Sequence, residues 1–161
     1  MVDSTKVVAT KEMCSYCFDG LIFFLEKREI LPSPKTFPQV DAPLFVSWHT
    51  SDGNLRGCIG KKIFSLNHMR YILIGTFAKE PLGSNLEKYT LHSAFKDSRF
   101  SPIIKKEVKD LSCDVSILTN FEPGKKAYDW EVGVHGIRIE FEDKGTKRSP
   151  ENRVYRALLS L

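Results

Sequence analysis

The sequence is short of three things, namely long apolar runs, cysteines and net charge, and each shortage excludes a class of protein. Its longest apolar run, residues 21–25, cannot cross a bilayer as a helix, which needs about 20 residues. The first residues have neither the basic start nor the apolar segment of a secretory signal. We therefore expect an intracellular protein, cytoplasmic or nuclear, that does not bind membranes and keeps its four cysteines reduced, without disulfides.

The charge balance is mildly basic, with a net charge of +4. Nucleic-acid-binding proteins usually gather Lys and Arg on one face, with aromatic side chains between them. Here the basic residues are scattered in pairs such as Lys61-Lys62 and Lys125-Lys126, which is typical of solvated loops. RNA association therefore remains only a third functional class, and an RNA affinity that does not change with salt would exclude it.

The spacing of apolar residues predicts an α+β fold. Helical spacing covers residues 5–28 and 83–98, whereas residues 31–43 hold four prolines and must form an extended connector. The segments "LFVSWHT" and "LRGCIG" have strand composition and flank the turn "SDGN", which predicts a hairpin. Hairpins and alternating strands beside two helices favour α+β over a doubly wound parallel sheet.

Two later segments alternate with the period of a strand. Every second residue of 111–117 is apolar, which predicts a strand that is buried on one face. Residues 130–143 predict two short strands around His135-Gly136. The side chains predicted to be buried in these segments are Leu111, Cys113, Val115, Ile117, Ile137, Ile139 and Phe141.

Three of the four cysteines favour structural positions. Cys14 and Cys17 have the spacing of a redox or zinc half-site, but the sequence has no second such pair to complete four metal ligands. Their place in an amphipathic helix favours two core thiols, and Cys113 lies on the apolar face of a strand. We therefore predict no metal site.

Cys58 differs because it lies at a strand end beside Gly57 and close to Arg56 and Gly60. Glycines let a ligand or another backbone approach closely, and a neighbouring guanidinium is typical of reactive cysteines. The alternative is a strand cysteine whose alternation points it inward. The residues themselves leave both interpretations open.

Two further segments carry polar residues of interest. His135 lies in "GVHG", where a side chain can project freely, although most turn histidines are simply exposed. Asp97 and Arg99 lie at the end of a predicted helix, where an arginine can bind an anion or the last carbonyl groups. Neither a P-loop nor a dinucleotide fingerprint, HExxH or GxSxG is present, so the sequence names no cofactor.

Six stretches can be compared with a known family: "MCSYCFDGL", "PLFVSW", "LRGCIG", "TLHSAFKDSRFSP", "SCDVSILTNFE" and "DWEVGVHGIRIEF". Together they resemble the AMMECR-one domain family, named for the Alport syndrome, mental retardation, midface hypoplasia and elliptocytosis chromosomal region. The resemblance covers roughly residues 10–60 and 76–148, and LRGCIG followed by GVHGI is a specific combination. It implies a two-lobed α+β fold with antiparallel or mixed sheets flanked by helices.

The resemblance also implies a cleft site around LRGCIG, for which two hypotheses differ in chemistry. In the first, the protein is an enzyme: Cys58 is the nucleophile or ligand anchor, arginines hold an anionic group, and His135 or Glu131 moves protons. In the second, the same cleft belongs to a non-enzymatic module that holds a small molecule or a protein partner. The residues implied to bind the ligand are Arg56, Gly57, Gly60, Asp97, Ser98 and Arg99. Under either hypothesis Arg56, Cys58, Arg99 and His135 should line one concave surface.

The chain departs from the family in two places. In the family LRGCIG runs directly into Thr-Phe, whereas here residues 61–75 intervene, so we expect an insertion. A Gly-Lys pair at its start can be encoded by the splice-donor-like GGTAAG, which favours a retained intron or an incorrect gene model over a genuine lineage-specific loop. After Arg148 the sequence leaves the family pattern. We therefore expect residues 1–161 to hold a single domain that is incomplete after about 148.

Overall fold

The computed structural model describes the backbone of residues 7–59, 62–63, 72–73, 80–123, 131–132, 134–140 and 153–160, and the side chains of 7–59, 80–119, 131–132 and 134. Three helices lie in these ranges: α1 (Lys11–Lys27), α2 (Leu82–Phe95) and a short 3-10 helix (Lys105–Asp110). The strands are β1 (Leu44–Thr50), β2 (Leu55–Ile59), β3 (Lys62–Ile63), β4 (Ile72–Leu73), β5 (Leu111–Pro123), β6 (His135–Glu140) and β7 (Arg153–Ser160). None of the helices in the described part is long and apolar enough to cross a membrane.

Five strands form one sheet in the order β2-β1-β5-β7-β6, and all their pairings are antiparallel. Strands β3 and β4 pair with each other in a separate two-stranded sheet. An antiparallel sheet packed beside helices is the α+β class, so the predicted fold class is confirmed.

The predicted hairpin is the β1–β2 pair, and hydrogen bonds among the turn residues hold it. Gly53 has φ +82°, a conformation that favours glycine, and its N–H donates to the carbonyl of Thr50 at 2.8 Å. The Thr50 N–H donates to Asn54 O at 2.9 Å, and the Thr50 hydroxyl also bonds the side chain of Asp52. The turn thereby fixes the register in which Ser47 lies opposite Cys58.

The helix ends differ from their predicted positions. The first helix begins at Lys11 rather than residue 5, and Val8, which precedes it, is exposed. It ends where Arg28 adopts a left-handed conformation and its N–H donates to Phe24 O. The second helix begins at Leu82, one residue before its predicted start, with Pro81 at its N-cap. Asn85 in its first turn is buried, and its amide donates to Ala42 O at 2.9 Å.

The core lies between the helices and one face of the sheet. Val115 and Ile117 of β5 are buried on that face, Cys113 is half buried there, and Ser112 and Asp114 on the other face are exposed. The strand period predicted for β5 is therefore confirmed. The predicted partners Ile137, Ile139 and Phe141 lie outside the residues whose side chains are described. Buried side chains contributed by the helices include Met13, Tyr16, Cys17, Leu21, Leu82, Leu86, Tyr89 and Ala94.

The two predicted departures from the family fall mostly outside the described residues. Of residues 61–75 only the four residues of β3 and β4 are described. Of the segment after Arg148 only β7 is described, and it lies between β5 and β6 in the sheet. The expectations of an insertion and of an incomplete domain therefore remain predictions.

Candidate functional site

Cys58 lies on β2, an edge strand of the five-stranded sheet. An edge strand presents backbone groups that no neighbouring strand pairs. At Cys58 two side chains occupy them: Asp97 Oδ2 accepts the N–H at 3.0 Å, and Arg99 Nη2 donates to the carbonyl oxygen at 3.2 Å. The segment after α2 therefore replaces a missing strand at this residue.

Asp97 and Arg99 also bind each other, so the two side chains that contact the Cys58 backbone hold each other in place. Arg99 donates from Nε to Oδ1 at 3.0 Å and from Nη2 to Oδ2 at 2.8 Å, a two-bond arrangement that guanidinium and carboxylate groups favour. The side chain of Asp97 is 6% exposed, whereas that of Arg99 is 57% exposed. The hydrogen bonds from Arg99, together with the Cys58 N–H, lower the pKa of Asp97 to about 2. The carboxylate is therefore ionised at neutral pH.

The Cys58 side chain lies on the sheet face opposite the helices. Gly57 faces Ser93 of α2, and successive residues of a strand point to opposite faces, so Cys58 points away from α2. Ser47 is its cross-strand partner, and the Ser47 hydroxyl donates to Cys58 Sγ at 3.0 Å. Cys58 is half buried, so its sulfur is held in place while part of the residue stays accessible.

The same sheet face carries a histidine that contacts a carboxylate. His49 is two residues from Ser47 on β1, and Asp114 is the β5 partner of Ser47. His49 Nδ1 lies 3.0 Å from Asp114 Oδ2, and 26% of the His49 side chain is exposed. Ser47, Cys58, His49 and Asp114 therefore form a polar patch that spans β2, β1 and β5. We call it the Cys58 patch.

Arg56 makes contacts that connect β2 to the segment before β5. Its Nε donates to Glu107 Oε1 at 2.9 Å and its Nη2 to Oε2 at 3.2 Å, while Nη1 donates to Ser101 O at 2.9 Å. Only 12% of its side chain is exposed. The hydrogen bonds from Arg56 lower the pKa of Glu107. Arg56 thus contacts protein groups with each of its three nitrogens.

Gly57 permits close packing of β2 on α2. A Cβ atom at this position would lie 2.2 Å from the carbonyl oxygen of Ser93, which is backbone and cannot move aside cheaply. Beside it the Trp48 indole N–H donates to Ser93 Oγ at 2.9 Å in the buried interior. The close approach that the glycine allows is therefore to α2. Gly60 lies outside the described residues.

The sheet order keeps His135 away from Cys58. His135 lies on β6, the opposite edge of the sheet, so four strand spacings of about 4.8 Å separate the two backbones, or roughly 19 Å. Cys58 is in the row of Asp114, and His135 is in the row of Thr119, which adds roughly 17 Å along the strands. Glu131 precedes β6 and is exposed. Of the predicted site residues, the structure brings together Cys58, Asp97 and Arg99, with Arg56 nearby on β2, whereas Ser98 is exposed in the turn beside them.

Sequence reasoning missed four residues that the structure places in or beside this site: Ser47, His49, Asp114 and Glu107. Three of them had a signal, since alternation in "FVSWHT" puts Ser47 and His49 on one face, and the apolar set of β5 puts Asp114 on the other side from Cys113. The pairing of Arg56 with Glu107 had none, because 51 residues separate the partners.

A groove of about 480 Å³ lies elsewhere, between α1 and the proline-rich connector. Its lining includes Tyr16, whose hydroxyl donates to Leu31 O at 2.6 Å, and it contains none of the predicted site residues. Among the side chains that the structure describes, no group of three or more His, Cys, Asp or Glu is arranged to hold a metal ion.

Comparison with known proteins places the chain among relatives without an assigned activity. It is 40% identical over 149 residues to "Uncharacterized protein At2g38710" of Arabidopsis thaliana, covering 89% of this chain and 62% of that protein. It is 36% identical over 144 residues to "Uncharacterized protein C688.03c" of Schizosaccharomyces pombe, covering 86% of this chain and 66% of that protein. The chain thus spans a little under two thirds of the length of these relatives.

A solved structure has a similar fold, and a family profile matches part of the sequence. The fold is similar to the crystal structure of uncharacterized protein PH0010 from Pyrococcus horikoshii, with a TM-score of 0.70 at 18% identity over 92% of this chain and 88% of that one. The sequence profile of the AMMECR1 family matches residues 73–152. With LRGCIG lying in the segment that the plant and yeast relatives also match, the chain belongs to the AMMECR1 family, the AMMECR-one family of the sequence motifs.

Proposed function

We propose that the chain binds a small ligand with an anionic or electrophilic group at the Cys58 patch, where Cys58 is the nucleophile or covalent anchor. One observation carries the proposal: the position of half-buried Cys58 is fixed by three hydrogen bonds. The Ser47 hydroxyl donates to its sulfur at 3.0 Å, and Asp97 and Arg99 bind its backbone N–H and carbonyl at the free edge of β2. A nucleophile held in one position reacts faster with a ligand bound beside it.

Arg99 is the residue that we assign to the anionic group of the ligand. More than half of its side chain is exposed, and its Nη1 makes no hydrogen bond to the described residues. Asp97 compensates its charge, so Arg99 would bind the ligand mainly through a directed N–H donor. Arg56 is less suited to this role because Glu107 and two carbonyl groups already accept from it.

His49 is the residue that we assign to proton transfer if the site is catalytic. Asp114 holds its Nδ1, which orients the ring and leaves Nε2 to exchange a proton, as general acid–base catalysis requires. It also shares the sheet face of Cys58, whereas His135 lies near the opposite edge. The earlier assignment of proton transfer to His135 or Glu131 thus has less geometric support than His49.

The test is an unbiased search for small molecules that the purified chain retains, read by native and denaturing mass spectrometry. We expect a retained mass in the wild-type chain and in Cys14→Ser, and its loss in Cys58→Ser. Cys14→Ser is the matched control because it removes a half-buried thiol that lies on α1, outside the Cys58 patch. Equal retention by Cys58→Ser would refute the role of Cys58.

A non-enzymatic ligand-binding or adaptor module is the second candidate. The observation that favours it is the structural use of the site's charges: Arg56 with Glu107, and Arg99 with Asp97, each hold a loop against β2. A ligand or protein partner would then bind to a preformed surface without thiol chemistry. A Cys58 that reacts with iodoacetamide no faster than glutathione at pH 7, together with retained ligand in Cys58→Ser, would select this module.

A further inference from the structure

The backbone N–H groups around Cys58 all have acceptors, and this limits the chemistry of its sulfur. Asp97 Oδ2 accepts the Cys58 N–H at 3.0 Å on the outer edge of β2. Because the backbone of Cys58 points outward, Cys58 and its cross-strand partner Ser47 exchange no backbone hydrogen bond. In an antiparallel ladder the flanking residues Gly57 and Ile59 then point their N–H groups at β1 and bond there. All three N–H groups are thus taken.

Acyl transfer needs the kind of donor that Cys58 lacks. When a nucleophile attacks the carbonyl of an ester, thioester or amide, negative charge develops on the oxygen of the attacked carbon. Donors such as the backbone N–H of the nucleophile itself stabilise this charge. At Cys58 that N–H is held by the buried carboxylate of Asp97. An oxyanion beside the sulfur would therefore lack this donor and lie near a carboxylate oxygen.

Addition to a conjugated alkene places the negative charge farther from the sulfur. In an α,β-unsaturated carboxylate the sulfur bonds to the β-carbon, and the charge develops at the far end of the conjugated system, on the carboxylate. Arg99 is exposed at the free edge of β2, where its Nη2 donates to the Cys58 carbonyl oxygen at 3.2 Å. Asp114 lies two strands from Cys58, roughly 10 Å away on the far side of Ser47. A ligand carboxylate is therefore favoured on the Arg99 side of the sulfur.

We propose that Cys58 takes α,β-unsaturated carboxylates by addition and does not transfer acyl groups, a substrate class that rests on the proposed function of the Cys58 patch. The thiol gives its proton to water, and the thiolate forms the S–C bond to the β-carbon. The π electrons of the alkene move toward the α-carbon and its carboxylate, and the α-carbon takes a proton from water. The thioether contains every atom of the thiol and the alkene, so the step needs no oxidant or reductant.

The test compares three reagents on the full chain at pH 7. They are monomethyl fumarate, an anionic alkene; dimethyl fumarate, a neutral alkene; and p-nitrophenyl acetate, a neutral acyl donor. Each rate at Cys58, read by peptide mass spectrometry, is divided by the rate of glutathione with the same reagent. We expect this ratio to be roughly tenfold higher for dimethyl fumarate than for p-nitrophenyl acetate, because loss of an oxyanion donor slows acyl transfer by at least that factor.

Two variants separate the roles of Asp97 and Arg99. Asp97→Ala frees the Cys58 N–H, so it should raise the ratio for p-nitrophenyl acetate and leave the ratio for dimethyl fumarate unchanged. Asp110→Ala removes an exposed carboxylate outside the site and is the matched control, which should change neither ratio. In the wild-type chain the ratio for monomethyl fumarate should exceed that for dimethyl fumarate by no more than about threefold, and Arg99→Gln should remove this excess.

The outcomes distinguish this substrate class from the proposed function itself. A ratio for p-nitrophenyl acetate as high as that for dimethyl fumarate would overturn the substrate class and leave Cys58 as a nucleophile. An excess for monomethyl fumarate that persists in Arg99→Gln would overturn the placing of the carboxylate at Arg99. Failure of all three reagents to modify Cys58 would overturn the proposed function and the substrate class together. Because the ratios of the wild-type chain already decide between addition and acyl transfer, the test holds even where Asp97→Ala does not fold.

Discussion

Replacing Asp97 by Asn should destabilise the fold by removing the charge that holds the edge of β2. Folding lowers the pKa of this carboxyl from 3.8 to about 2, a shift that corresponds to about 2.4 kcal/mol at neutral pH. Since Arg99, its main partner, is more than half exposed, solvent screening reduces the figure to about 1–2 kcal/mol. The isosteric amide can still accept from Cys58, but it cannot accept both Arg99 donors as a charged fork.

The pH dependence of this effect distinguishes charge from shape. Because folding lowers the pKa of Asp97, its stabilisation is complete well above pH 3.8 and is lost as the pH falls through about 2. The free energy of unfolding in urea should therefore differ between wild type and Asp97→Asn at pH 7, and the difference should fall to roughly half at pH 3. Asp110→Asn, which changes an exposed carboxylate, is the control and should cost less than about 0.5 kcal/mol. A difference that is equal at both pH values would refute the electrostatic role of Asp97.

Three further predictions concern the surroundings of the site. Gly57→Ala should lower the free energy of unfolding in urea by about 1–3 kcal/mol or more, because the new Cβ meets Ser93 O at 2.2 Å. Gly53→Ala, where no atom lies within 4 Å, should lower it by only about 1 kcal/mol, and equal losses in the two variants would contradict this prediction. Arg56→Lys should lower the free energy of unfolding by about 1–2 kcal/mol by breaking the fork to Glu107, whereas Lys105→Ala, at an exposed pair, should change it little. For residues 61–75, which we propose to be an insertion from a retained intron, mature transcripts should lack the segment and its deletion should leave a folded chain; abundant transcripts that encode it in a stable soluble protein would contradict the proposal.

The sequence allowed the local features of the fold to be predicted. The turn residues Gly53 and Asn54, between two segments of strand composition, identified the β1–β2 hairpin. The alternation of apolar residues identified the buried face of β5. The predicted start of α1 was wrong because the apolar spacing continues upstream through Val8, whereas the helix begins only after its N-cap residue, Thr10. Most of the stability of a helix in a protein comes from tertiary packing, so local sequence alone does not determine the residue at which the helix begins.

The candidate site could be predicted only in part, because it depends on contacts between distant segments. The motif LRGCIG suggested Cys58 and the segment after α2 suggested Asp97 and Arg99, but nothing in the sequence indicated that Asp97 would accept from Cys58 itself. His135 seemed attractive because glycines flank it, yet the strand order that puts β7 between β5 and β6 is a global property. Alternation places His49 on one face of β1 with Ser47, but nothing in the sequence indicated its contact with Asp114, which is 65 residues away.

The most direct test of the Cys58 patch is to compare the alkylation of Cys58 by iodoacetate and iodoacetamide, resolved by peptide mass spectrometry at pH 7. If Arg99 offers a donor to anions beside an accessible sulfur, the ratio of the iodoacetate rate to the iodoacetamide rate should exceed that of glutathione. Because Asp97 compensates the guanidinium charge, we expect the ratio to exceed that of glutathione by no more than roughly threefold, which is what an uncompensated charge at about 6 Å in water would give. In Arg99→Gln this ratio should fall to that of glutathione while the iodoacetamide rate at Cys58 stays the same. A ratio equal to that of glutathione in the wild-type chain, unchanged in Arg99→Gln, would contradict the proposed site.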